Sequence, residues 1–551
     1  MTVNLGPGKS LFKRLGPPSL TLALCGGALA GQIDNGLGLE IDWDNTIRFG
    51  AAQDVVGQSS PHGRRCDLQA SGPALLSTQD CQQPYGATAR RFDWWTELDI
   101  GAGDFGLHAT VDSWYDWQYD KQTSDNLPVV LAPDLAGRRL IVLHSPQTGD
   151  GAVDLRDLFF YGKAMIADDE PVSFRLGRHA LLWGESLFFT ENGIAAGQVP
   201  VDSYLYQAVA SYQSSDAFLP VNQISASWQP ANGLAVDLYY QFEWRRSQIS
   251  PYNAYASDAD VIGADNLRLI GLDLPGLGPT LFSRARDQTP GSTDQFGAAL
   301  KLQRGDIDYG LYGLSFNTKS PIAYLRAPAA AGGLGSYTLT YPKGIGLIGA
   351  SMSGPLGPAT IGGEVSGRWN MPLVTGGVLV PPGAQADNND HPLYPVGDTV
   401  HAQLSWNYPV PPFSFLPGGA SWTAEIAAND RVAVTANEGA LAPGRTRFAA
   451  GFRTVFEPQF FQVLPRLDLT LPIGFGFNFL GVSSVDSTMN RGTGDVSLGI
   501  AATFDQVWRA EFDITHYFGH SKNAVVPLDA SAAGPLLQQF DFVALSLERS
   551  F

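Results

Sequence analysis

The 551-residue chain predicts an all-β fold, a single antiparallel transmembrane β-barrel of about 16 strands, within roughly 14–18. Three observations predict it. Apolar and polar residues alternate with a period of two along most of the chain, the signature of pleated strands with one apolar face. After residue 30 no uninterrupted apolar run reaches the roughly 18 residues that a spanning helix needs. Charged residues make up 16%, against about 25% in ordinary soluble chains, yet mean hydropathy is only -0.05. Alternating strands reconcile low charge with low hydropathy, because apolar residues are dispersed rather than clustered.

The alternation holds from end to end. Leu37, Leu39, Ile41, Trp43, Ile47 and Phe49 share one face, while Glu40, Asp42, Asp44, Thr46 and Arg48 share the other. Leu107, Ala109, Val111, Tyr115, Trp117 and Tyr119 oppose His108, Thr110, Asp112, Asp116, Gln118 and Asp120. The same rhythm recurs in Val236–Trp244, Val400–Tyr408 and Leu467–Phe479. Soluble strands average about 5–6 residues. Several runs here are long enough for a tilted membrane-crossing strand of about 9–11 residues. Near the C-terminus, Val496–Phe504 and Trp508–Ile514 form a tight hairpin with Asp505-Gln506 at its turn.

Sixty-two glycines and 11% aromatics suit tight turns and interfacial girdles. The net charge of -18 excludes a general nucleic-acid binder, which would carry a basic face. The acidic residues on the polar strand faces (Glu40, Asp42, Asp112, Asp116, Asp237, Glu243, Asp468, Glu511 and Asp513) predict a lumen that disfavours small anions.

Residues 1–30 read as a secretory signal. Lys9, Lys13 and Arg14 precede the short apolar stretch Leu20–Cys25, and Ala28-Leu29-Ala30 offers a small-x-small cleavage site. A lipoprotein signal acylated at Cys25 is the alternative, but Leu24 stands where a small residue belongs. Export without a spanning helix leaves a soluble periplasmic protein or a closed barrel occupying residues 31–551. Cys66 and Cys81 then remain in a polar, turn-rich stretch, where a loop disulfide is the expectation.

The chain ends Val543-Ala544-Leu545-Ser546-Leu547-Glu548-Arg549-Ser550-Phe551. This alternating strand, closed by an aromatic, resembles the last strand of bacterial outer-membrane barrels. The resemblance implies that the barrel-assembly machinery reads Phe551, and that outer-membrane lipid and lipopolysaccharide surround the wall. Arg549 departs from that pattern, standing where an apolar or aromatic residue is usual.

Polar, Pro/Gly-rich stretches at about 51–91, 121–150, 245–293, 318–343, 371–398 and 520–538 read as extracellular loops. One segment, 180–220, neither alternates nor has a strong helical period. Around it, Phe174-Arg175-Leu176-Gly177-Arg178-His179, Trp183-Gly184-Glu185-Ser186, Asn192-Gly193-Ile194, Pro200-Val201-Asp202, Leu219-Pro220-Val221 and Tyr239–Trp244 form a longer signature. It resembles a poorly characterised family of proteobacterial outer-membrane proteins described only as a domain of unknown function. The clear match covers about 172–263. The resemblance implies a barrel of this length and associates it with hydrophobic compounds, without a derived activity.

The residues of this segment have a physical reading of their own. Gly184 permits a tight backbone path, Trp183 supplies a large ring, and Arg175, Arg178 and Glu185 offer a charge network. Two readings stand: an inward-folded constriction of the lumen with Arg178 paired to Glu185, or a plain inter-strand connection with a surface ion pair. Asp112, Asp116 and Glu243 complete the candidate lumen set.

No metal cluster, phosphate-cradling loop or nucleophile elbow emerges; Gly349-Ala350-Ser351-Met352-Ser353 lacks the closing glycine. No cofactor is expected, and the chain reads as a non-enzyme. The expected function is passive uptake of small hydrophobic or amphipathic molecules. A general polar porin, an outer-membrane hydrolase and a structural barrel are the alternatives.

Overall fold

The computed structural model describes residues 38–55, 87–117, 151–167, 169–203, 205, 214–248, 270–274, 278–330, 333–519 and 541–551. The signal at 1–30 and the Cys66–Cys81 pair lie outside the described residues, as do most of the loops expected at 51–91, 121–150 and 520–538.

The wall begins as an antiparallel meander of β1 (Glu40–Asp54), β2 (Ala87–Ala102), β3 (Phe105–Asp116), β4 (Gly151–Ala167), β5 (Glu170–His179), β6 (Val221–Ala231) and β7 (Leu234–Gln241). The chain leaves the wall for β8 (Ile270–Leu274) and β9 (Gly278–Arg284), then rejoins it at β10 (Phe296–Arg304) and β11 (Ile307–Phe316). It leaves again for β12 (Ile322–Arg326) and β13 (Leu334–Thr340) before β14 (Ile345–Leu356) and β15 (Ala359–Pro372). After β16 (Val378–Val380), also outside the wall, come β17 (Val396–Val410), β18 (Ala420–Ala436) and β19 (Phe448–Leu464). The last stretch is β20 (Leu467–Thr470), β21 (Ile473–Leu480), β22 (Gly494–Phe504), β23 (Trp508–Phe518) and β24 (Phe542–Ser550). β24 pairs antiparallel with β1, Thr46 opposite Ser550, and closes the cylinder.

β20 and β21 both lie between β19 and β22 and make one interrupted strand. The barrel therefore has 18 strands, where the alternation predicted about 16. The shortfall arises where the apolar rhythm is thin. β14 and β15 carry glycine and serine at many positions on both faces (Gly349, Ser351, Gly354, Gly362, Gly363), which thins the alternation between their outward Ile348, Met352, Val365 and Trp369. The expected continuous run Leu467–Phe479 is also corrected. Pro472 has no N–H to give the ladder, and the strand divides there, with the Leu471 N–H donating to the Pro458 carbonyl at 3.0 Å.

The face assignment follows the alternation. Trp43, Phe49, Leu107, Leu238, Leu404, Leu498 and Leu545 are exposed on the outer wall. Arg48, Asp93, Asp112, Glu364, Gln403 and Glu425 point inward and are buried. An apolar exterior around a polar interior is the inverse of a soluble protein and is the surface of a transmembrane barrel.

Connections at the two ends differ. Tight turns join β2 to β3, β6 to β7, β10 to β11 and β14 to β15, while the opposite end carries the long connections. Three of those connections, expected as irregular loops at 245–293, 318–343 and 371–398, instead build a second sheet in the order β16-β12-β13-β9-β8. Tyr324, Val378, Val380, Tyr394 and Val396 form its buried contact with the barrel rim. These strands are short and embedded in Pro/Gly-rich sequence, so no period could build up.

Candidate functional site

The segment between β5 and β6 folds into the barrel. Within it, Asn192, Gly193, Ile194, Ala195 and Gly197–Pro200 are buried. A chain entering a lumen must satisfy its own backbone groups there. Wall side chains do this from several strands.

On β15, the Glu364 carboxylate accepts the backbone N–H of Glu185 at 2.6 Å and of Ile194 at 2.8 Å, and the side chain of Gln403 at 2.9 Å. On β18, Glu425 accepts the N–H groups of Leu187, Phe188 and Phe189 at 3.2, 2.5 and 2.9 Å. Cations take the carbonyls. Arg368 donates to the Glu191, Asn192 and Gly193 oxygens at 3.1, 2.8 and 2.8 Å, and Lys319 to the Gly197 oxygen at 2.9 Å. Asn192 is itself held by Gln403, His401 and Asn429. Anions therefore face N–H groups and cations face carbonyls along the whole inner limb, each a charge-assisted bond.

The return limb is fastened to the far wall. Arg156 on β4 donates to the Phe218 carbonyl at 3.0 Å and to that of Asp216, and Arg48 on β1 lies 3.8 Å from the Asp216 carboxylate.

Trp183 is buried among β7, β10 and β11, with ring contacts to Tyr239 at 5.0 Å and Tyr312 at 5.9 Å. Its backbone N–H donates to Gln198 Oε1 at 2.7 Å, closing the inner limb on itself. Gly184 has φ +95, a conformation that side chains resist. A Cβ there would fall on the Glu364 carboxylate. Glu185 sits beside Ser351 at 3.5 Å, and burial, aided by the neighbouring Glu364 charge, pushes its carboxyl up to about 7. Burial pulls the Lys319 ammonium down to about 7.

The predicted site residues divide into three groups. Trp183 and Glu185 belong to the inward segment. Arg175, Asp112 and Asp116 face the lumen elsewhere: Arg175 lies 5.4 Å from the Phe159 ring centroid, Asp112 lies 4.0 Å from Arg91, and Asp116 accepts the Arg90 N–H at 3.0 Å. Arg178 and Glu243 correct the expectation. Arg178 pairs with Glu243 at 3.0 Å, not with Glu185. It shares a strand face with the exposed Leu176 and stands opposite exposed Leu158. The pair therefore lies on the outer face, at the long-connection rim, because two-residue parity turns Arg178 away from Gly177 and His179.

Several of the carboxylates on the lumen faces are paired. Arginines share those faces: Arg91 pairs with Asp93, Arg453 with Asp495, and Arg509 with Glu511. Sequence reasoning missed Glu364, Glu425, Arg368, Gln403 and Lys319. The first four sit at polar positions of alternating strands, but their partners are atoms of the inward segment, backbone for Glu364, Glu425 and Arg368 and the Asn192 side chain for Gln403, lying 170 or more residues away, which no spacing discloses.

Fold and segment together define a transmembrane β-barrel with an internally clamped lumen segment. The chain belongs to the family described as "Protein of unknown function (DUF1302)", whose model matches residues 11–551. No curated protein matches the chain. Among solved structures it is similar to OccAB4 of Acinetobacter baumannii (7% identity, 94% of this chain and 100% of that one, TM-score 0.43). It is also similar to the outer membrane channel DcaP of Acinetobacter baumannii (10% identity, 95% and 100%, TM-score 0.39). OpdK of Pseudomonas aeruginosa, solved with vanillate, gives 10% identity over 93% and 98%, with a TM-score of 0.38. None of these figures assigns a solute.

Proposed function

We propose that the chain is an outer-membrane channel for passive uptake of small hydrophobic or amphipathic molecules, with segment 180–220 as its constriction. Residues 1–30 direct export, and Phe551 is read by the assembly machinery. The long connections face outward and the tight turns face the periplasm, as in barrels of this kind. The observation that carries the proposal is the clamping of the inner limb by Glu364, Arg368 and Glu425. A segment so heavily anchored across the lumen narrows the path and sets what passes. Half-buried Leu187, Phe188 and Phe189 give that path an apolar side, while the paired charges Arg453–Asp495 and Arg509–Glu511 give it a polar one. Such a two-sided path suits amphipathic solutes.

Those same paired charges favour a second reading, general diffusion of polar solutes past the segment. Two measurements on the purified barrel decide. Deleting residues 187–198 raises single-channel conductance if the segment is the constriction; unchanged conductance overturns the proposal. Liposome swelling separates the solute classes, since rapid entry of neutral sugars favours the polar reading. A deletion strain is expected to grow poorly on a hydrophobic carbon source and normally on succinate.

A further inference from the structure

Arg549 interrupts the outward apolar row of β24, in which Leu545 and Leu547 are both exposed. It stands opposite Trp508, the first residue of β23. Its guanidinium lies 5.1 Å from the Trp508 ring centroid and 5.7 Å from that of Phe551. Its Nε is buried without a hydrogen-bond partner, and no ion pair to it occurs among the described residues. The neighbouring Arg466 differs: it lies 5.4 Å from the Phe504 ring centroid but is paired with Asp505. Arg549 is therefore a cation on an apolar face with its charge unmatched among the described residues.

Beside it lies a groove of about 400 Å³ lined by Leu467, Ala502, Phe504, Trp508, Ala510 and Leu547. The register explains its shape. Leu467, Phe504, Trp508 and Arg549 form one row across four strands. In the row behind, Ala502 pairs with Ala510, and Ala510 with Leu547. Two alanines side by side make a floor below the large rings of the first row. The groove is open to the outer face, at the end of the wall that carries the tight turns.

An apolar channel ending at an unmatched guanidinium fits an amphiphile with a hydrocarbon chain and an anionic head. We propose that this groove binds one phospholipid of the periplasmic leaflet, with an acyl chain on Ala502 and Ala510 and its phosphate on Arg549. Arg549 is suited to this role because its planar fork donates to phosphate while its face stays on Trp508. The assignment rests on the outer wall facing lipid and is independent of what the lumen carries.

Native mass spectrometry of the full barrel in detergent tests it, with dioleoyl phosphatidylglycerol, dioleoylglycerol and inorganic phosphate as probes. The wild type is expected to retain one phosphatidylglycerol in preference to dioleoylglycerol. Arg549→Gln should lower that retention about tenfold, the loss of one charge-assisted bond. Ala502→Leu, which fills the floor, should lower retention of both lipids; Ala510→Leu serves if that variant does not assemble. Folding is checked by heat-modifiable migration. Equal retention of the two lipids by the wild type, or retention unchanged in Arg549→Gln and the alanine variant, overturns the proposal. So does phosphate binding that Ala502→Leu leaves intact, which marks an anion site only, or a dimer mass, which marks a second copy in the groove. None of these outcomes bears on conductance, so the channel reading stands or falls separately.

Discussion

Glu364 on the wall accepts the backbone N–H of Ile194 at 2.8 Å, although 170 positions separate the two residues. Ile194 is fully buried, so this N–H has no water to turn to. The same carboxylate holds Glu185, and Glu425 holds three residues beyond Ser186, namely Leu187, Phe188 and Phe189. The inward path of the segment is thus written largely in two wall carboxylates.

Replacing them should release the limb. Each charged hydrogen bond contributes about 1.5–3 kcal/mol. Glu364→Ala with Glu425→Ala is expected to leave the barrel assembled, expose 185–194 to proteases and raise single-channel conductance. Assembled barrels with a protected segment and wild-type conductance would show that the clamp lies elsewhere.

Gly184 should tolerate no side chain. Its φ of +95 costs an L-residue about 1–2 kcal/mol, and a Cβ would meet Glu364 as well. Gly184→Val is expected to displace Glu185 from Ser351 and produce noisy, wider channels. Gly313→Ala, on the outer wall where a Cβ meets nothing within 4 Å and φ is not positive, is the control with quiet wild-type currents. Indistinguishable traces from the two variants would remove Gly184 from the constriction.

The fold was largely legible in the sequence, and the clamp was not. Alternation through Leu107–Trp117 and Val400–Tyr408 placed both faces correctly, because each strand's period is local. The strand count fell short of 18, because glycine and serine thin the alternation on strands such as β14 and β15 and blur where one strand ends. The second sheet escaped because Val378–Val380 and Ile322–Arg326 are too short to show a period. Trp183-Gly184-Glu185 stood out as non-alternating, yet its partners Glu364 and Glu425 look like any lumen-facing residue. Arg178 was misplaced by its neighbours: Arg175 does face inward, and Arg178 lies an odd number of residues beyond it, so strand parity puts it outside.

Local stability of the constriction should depend on pH. Burial raises the Glu185 carboxyl to about 7, above its ordinary value near 4.3. The folded segment then holds a proton that the released segment gives up, so stability is full below about pH 4.3 and falls as pH rises toward 7. Hydrogen exchange of the 183–198 amides is expected to quicken from pH 5 to 7, after correction for intrinsic rates, and to level off above. Glu185→Gln should flatten the profile. A wild-type profile already flat over that range would rule out a buried, protonated Glu185.

Arg178 and Glu243 should matter little to transport. Their side chains are 21% and 28% exposed, at the outer rim. Partly solvated pairs of this kind contribute about 0–1 kcal/mol. Glu243 also accepts the Asn222 N–H at 3.0 Å, so its removal costs more than loss of Arg178 does. Arg178→Gln is therefore expected to keep wild-type conductance and ion selectivity, with only a slight drop in unfolding temperature. Glu243→Gln should lower that temperature further, again without a change in current. A shift in selectivity on neutralising Arg178 would place its charge at the permeation path and reverse the parity argument that turns it outward.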